Sequence, residues 1–159
     1  MIKKIMLKIV NWFWNIIYPE WSLTQVKEFY DKFSNYFELS AYLLANGFTY
    51  NADGMNILPI YRLDTFARPS QVLARKFGNC SDYMRLFSEF IRYKKCADEF
   101  EELFLHNGEI GNWHYILKIN DRNITYLQSN MHVGLATTEA WNEYKIEYKH
   151  IDIIDSWQR

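Results

Sequence analysis

Two residue types in this chain stand where thiol chemistry would need them. Cys80 follows Gly78-Asn79 and opens an apolar pattern of helical period, with Tyr83, Leu86, Phe87, Phe90 and Ile91 three and four residues apart. His114 is the second residue of a segment, Trp113 to Ile119, that alternates with period two and reads as a strand. A thiol is a poor nucleophile until it ionises. The positive end of a helix stabilises thiolate, and a neighbouring imidazolium does so further. Together they can lower a cysteine pKa from about 8.5 to roughly 3.5–7.5. Unpaired amides of the first helical turn would then face the carbonyl under attack and steady its oxyanion. Taken singly, each residue has a plainer reading: a small buried side chain for Cys80, a core-edge histidine for His114. Their order, cysteine on a helix and then histidine on a strand, favours the chemical one.

The segment Asp64 to Tyr83, DTFARPSQVLARKFGNCSDY, resembles the nucleophile segment of bacterial transglutaminase-like cysteine proteinases. Phe66, Pro69, Leu73, Gly78, Cys80, Asp82 and Tyr83 stand at matching offsets, while Asn79 replaces the more usual Asp. Trp113-His114-Tyr115-Ile116 and Leu127-Gln128-Ser129-Asn130 resemble the family's histidine strand and third-residue strand. The likeness covers roughly residues 48–130. It implies a papain-like or transglutaminase-like fold and a cysteine peptidase, amidase or transglutaminase acting on a peptide or protein substrate, without metal or organic cofactor. It also implies a triad of Cys80, His114 and a carboxylate or amide.

No Asp stands at the third position, so hairpin register must choose the residue. A four-residue loop over 120–123 puts Ser129 opposite His114. A three-residue loop over 121–123 puts Asn130 there, with Gln128 a diagonal neighbour. Asn130 is preferred, Gln128 second and Ser129 third, because an amide carbonyl can hold the imidazole tautomer. Asp82, in the first helical turn, reads as structural. If the triad is incomplete, the same domain becomes an idle module that holds a peptide or partner protein in an aromatic groove.

The elements that would position these residues follow from pattern and punctuation. Helices are expected from Ser22 or Thr24 to Phe33, from Tyr36 to Ala45 before Gly47, from Pro69 to Lys76, and from Cys80 to Lys94. Asn51 to Gly54 is turn chemistry, and the segment up to Arg68 reads as irregular. Strands are expected over 102–106, 113–119, 124–128 and 146–154, with a helix capped by Thr137 or Thr138 running to Tyr144. Helices first and antiparallel strands after make an α+β chain. With no linker or repeat, residues 1–159 form one domain.

Eighteen basic and nineteen acidic residues give a net charge of −1, which offers no electrostatic footprint for nucleic-acid binding. Two cysteines are too few for a disulfide framework, which favours a reduced, cytoplasmic setting. No metal-ligand spacing, phosphate loop or serine elbow occurs. Met1 to Tyr18 has an amphipathic pattern, with Ile2, Ile5, Met6, Ile9, Phe13 and Ile16 on one face and Lys4 and Lys8 on the other. That pattern suits a helix packed on its own domain; the alternatives are peripheral membrane attachment or partner docking. Aromatic residues, at 18%, fit either a ring-rich core or a groove lined with rings.

Overall fold

The computed structural model describes residues 12, 15–51, 67–108 and 113–159. Within them the chain is α+β. Helices α1 (Leu23–Tyr30), α2 (Tyr36–Ala45), α3 (Pro69–Arg75) and α4 (Cys80–Lys94) come first, with short strands β1 (Thr49–Tyr50) and β2 (Phe77–Gly78) between them. Strands β3 (Glu99–His106), β4 (Trp113–Asp121), β5 (Ile124–Ser129) and β6 (His132–Leu135) follow. Helix α5 (Thr138–Glu147) and strand β7 (His150–Gln158) close the chain.

Each helix starts where a side chain can take up its orphan amides. Ser22 and Gln25 form a capping box on α1, and Asn35 Oδ1 accepts from two amides of α2. Pro69, whose missing N–H costs nothing there, opens α3. That helix ends on Lys76, which takes the left-handed backbone conformation.

The main sheet has five strands in the order β6-β5-β4-β3-β7, every neighbouring pair antiparallel. Its two faces carry different clusters, as period two demands. Tyr115, Leu117 and Ile119 of β4 pack toward α4, in one cluster with Phe87, Phe90 and Ile91. Ile116 and Leu127 join Leu103, Leu105 and Tyr148 on the other face, with Trp141 and Tyr144 of α5 packed against them. The aromatic surplus went chiefly into the core. Tyr36, Tyr83, Phe87, Phe90 and Phe100 are fully buried and Phe29, Tyr30 and Phe33 nearly so, with ring pairs such as Phe29–Phe33 at 5.1 Å.

Three expectations need correction. The β4–β5 connection is a two-residue turn, Arg122-Asn123, both residues with positive φ (49° and 65°) as a type I′ hairpin requires. Asp121 pairs with Ile124 and Ile116 with Ser129, so neither longer loop nor its register applies. The last strand begins at His150, because residues 146 and 147 still belong to α5. Strand β3 starts earlier than expected, at Glu99.

The amphipathic segment 1–18 lies mostly outside the described residues, as do 52–66, which hold most of the expected turn and irregular stretch. Of its described part, Ile16 is 60% exposed, so that residue is not packed on the domain as its place in the pattern suggested. Among the described residues no helix is long and apolar enough to cross a membrane.

Candidate functional site

Cys80 is the first residue of α4, and the turn that presents it is held from inside by one carboxylate. Asp82 is fully buried. It accepts hydrogen bonds from Ala67 N (2.5 Å), Asn79 N (3.1 Å) and the Arg75 guanidinium (2.9 Å). Arg75 is itself buried, donates to Phe77 O and lies 4.8 Å from the Phe77 ring centroid. Burial pulls the Arg75 pKa below its ordinary value, and the Asp82 carboxylate pulls it back up. The structural reading of Asp82 therefore holds, and Arg75 is the partner that sequence reasoning missed.

Gly78 is needed here for space, not for a left-handed backbone. A Cβ at that position would stand 2.9 Å from Asp82 Cβ. Asn79 Oδ1 caps the helix by accepting from Asp82 N and Ser81 Oγ. An Asn caps as well as an Asp does, and adds no negative charge that would oppose ionisation of the adjacent thiol.

Cys80 is 7% exposed and belongs to the apolar cluster on the α4 side. From Cys80 to Lys94 the helix rises about 20 Å, and from His114 to Asn120 the strand covers about 20 Å. Helix α4 packs on β4, and its C-terminal end adjoins Asn120 through Asp98 N, which donates to Asn120 O. The thiol and the imidazole are thus at the same end of the sheet.

They do not share a face. His114 alternates with Tyr115 and points, with Ile116, away from α4. Its ring stacks near-parallel on Tyr144 and Tyr148, with centroids 6.2 and 6.5 Å away. Its Nε2 lies 2.8 Å from Ser129 Oγ. Burial holds the imidazole pKa below the ordinary 6.5, against a smaller upward pull from Glu147. Tyr148 contacts His114 and is near enough to Cys80 to be coupled to it electrostatically. It stacks on His114, and the Cys80 sulfur is among the charges that, after burial and Glu147, push its phenol up to about 12.

The hydrogen-bonded neighbour of His114 is Ser129, not Asn130 or Gln128. The two-residue turn sets this: Ser129 sits opposite Ile116 and so on the His114 face, diagonally placed. Gln128 sits opposite Leu117 and faces α4. Its amide donates to Asn130 O at the β5–β6 turn, where Asn130 adopts φ 54°. Gln128 Oε1 and Asn130 Oδ1 are buried without a partner among the described residues, an arrangement that costs about 1–3 kcal/mol per group. Of the Arg122-Asn123 pair at the hairpin tip, only Asn123 is a residue that favours positive φ, so the turn that selects Ser129 was only half signalled. Nothing in the sequence pattern pointed to Tyr144 or Tyr148.

Cys96, the second free cysteine, lies at the other end of α4, and burial first of all raises its thiol to about 11. Among the described residues no group of three or more His, Cys, Asp or Glu side chains could hold a metal ion. Compared with protein-family models, curated proteins and solved structures, the chain matches none. The structure defines an α+β fold in which a helix that starts with a cysteine packs beside an antiparallel sheet.

Two outcomes are expected. Asp82→Asn leaves the Arg75 guanidinium buried without its counter-charge, and urea unfolding should show a loss of about 3–5 kcal/mol. His114 has a folded pKa below its unfolded one, so its penalty is absent above about pH 6.5 and grows as pH falls toward the folded value. His114→Gln should accordingly lose less stability than the parent protein between pH 7 and pH 5, read from urea midpoints across that range.

Proposed function

We propose that this protein is a thiol-dependent hydrolase or acyltransferase of transglutaminase-like, papain-like type, acting on amide or thioester carbonyls of a peptide or protein. The observation that carries the reading is the rigid presentation of Cys80. The residue is the first of a capped, buried helix, at the sheet end where Ser129 holds the Nε2 of His114. In the tautomer that donates Nε2–H to Ser129 Oγ, the lone pair of His114 sits on Nδ1, and burial, which lowers the ring's pKa from 6.5, favours the neutral form. A neutral imidazole can accept the thiol proton.

In the reaction, Cys80 loses its proton to His114 and the thiolate adds to the carbonyl carbon. Amides of the first α4 turn offset the charge on the oxygen. The tetrahedral adduct collapses as His114 returns the proton to the departing amine or thiol, leaving an acyl group on Cys80. Water or an amine then takes that acyl group. Ser129 acts as a positioning residue for the ring, in the place an amide or carboxylate fills in related chemistry. Because the ring lies on the sheet face opposite α4, proton transfer requires it to reach the thiol around the sheet end, beside Tyr148.

That same separation favours a second reading, an idle domain that binds a peptide or partner without turning it over. In this reading Cys80 is a small apolar core residue and His114 braces α5.

Limiting iodoacetamide near neutral pH distinguishes the two. The hydrolase reading expects Cys80 to be alkylated well ahead of Cys96, whose thiol is held neutral, and His114→Ala to abolish that lead. Slow labelling of Cys80 that His114→Ala leaves unchanged would establish the idle domain.

A further inference from the structure

At the opposite end of α4 from Cys80 lies a cleft of about 690 Å³ that the thiol chemistry does not use. It opens between the N-terminus of α2, the C-terminal end of α4 and the β4–β5 turn. Four cations line it: Lys94, Lys95, Arg122 and Arg159. Lys94 pairs with Asp31 and Arg159 with Asp98, whereas the side chains of Lys95 and Arg122 form no ion pair among the described residues, although the Arg122 amide donates to Asp98. Both stand in the left-handed backbone region, φ 52° and 49°, at fixed points of a helix cap and a hairpin turn. The roots of both side chains are thus fixed beside the cleft, while the chain as a whole carries a net charge of −1.

The cleft also has an aromatic platform. Phe37 is 41% exposed, yet its ring is wedged between Tyr36 (4.6 Å) and Tyr126 (5.0 Å). An exposed ring already locked in place gives stacking area without an ordering cost. A carboxylate, Asp121, shares the wall and accepts from the Tyr36 hydroxyl. Its remaining lone pairs suit hydroxyl donors.

We propose that this cleft binds a nucleoside phosphate. The base stacks on Phe37, the ribose hydroxyls donate to Asp121, and the phosphates meet Lys95 and Arg122. The volume falls within the roughly 300–1,000 Å³ of small-ligand sites. A free nucleotide needs only these local charges, unlike a polymer, which draws on an excess of basic residues that a net charge of −1 does not supply. A purely anionic ligand would leave Phe37 unused and would face the Asp121 carboxylate; an uncharged aromatic one would leave two cations unanswered.

Isothermal titration of the intact protein with ATP, adenosine and tripolyphosphate, in the absence of metal, tests the assignment. ATP should bind, with adenosine and tripolyphosphate each at least about tenfold weaker. The double variant Lys95→Asn/Arg122→Asn removes both charges with a residue that tolerates positive φ, and should weaken ATP and tripolyphosphate but not adenosine. Phe37→Ala should weaken ATP and adenosine and leave tripolyphosphate unchanged. No heat from millimolar ATP would overturn the proposal. So would tripolyphosphate binding as tightly as ATP with no effect of Phe37→Ala, because the cleft would then be an anion site only. The Cys80 chemistry plays no part in either result.

Discussion

The Asp82 carboxylate joins three pieces of chain at one buried point: Ala67 two residues before α3, Arg75 in the last turn of α3, and the Asn79 cap of its own helix α4. An ionised carboxylate sealed from water is costly unless each oxygen is satisfied. Here the guanidinium of Arg75 supplies the charge and two backbone amides supply the remaining donors. Such a pair adds little net stability over well-packed hydrocarbon, but losing either partner strands the other. Its value is geometric. It leaves the first turn of α4 one place to be, and Gly78 has to yield its Cβ so that Asp82 can come close.

From that fixed turn the position of Cys80 follows, and with it the electrostatics of the proposed site. The helix dipole lies behind the sulfur and an uncharged Asn79 caps it. The sheet brings His114 to the same end but on its far face, against Tyr148 and Tyr144. Desolvation that keeps the imidazole neutral suits a base that must accept a proton before it gives one. It also suits a histidine that only fills space beneath α5. The two readings part over whether the sulfur is ionised.

Much of this was legible in the residues because local rules and tertiary packing agree. Helix α4 carries its own cap, a buried stripe and polar last-turn residues, so its bounds at Cys80 and Lys94 follow from pattern alone. Asn35 and Gly47 likewise bracket α2. What escaped was what depends on register. One residue in the hairpin loop decides whether Ser129, Asn130 or Gln128 lies beside His114, and period-two strands flip every side chain when register slips. Arg122 at positive φ ran against the expectation that a bulky residue avoids that region, which hid the two-residue turn. Strand β6, four residues with only Val133 half-buried, offered too little alternation to read. Arg75 escaped because a buried guanidinium on a short helix looks like any surface arginine until its carboxylate is placed.

Direct titration of the Cys80 thiol is the most searching measurement. The ultraviolet absorbance of thiolate, taken as the difference between the parent protein and Cys80→Ser across a pH series, reports that one sulfur. A transition well below the ordinary cysteine value of about 8.5, shifted upward in His114→Ala, is the result expected if helix and imidazole act on it together. A transition at or above that value, indifferent to His114, would mean that the sulfur is only part of the core.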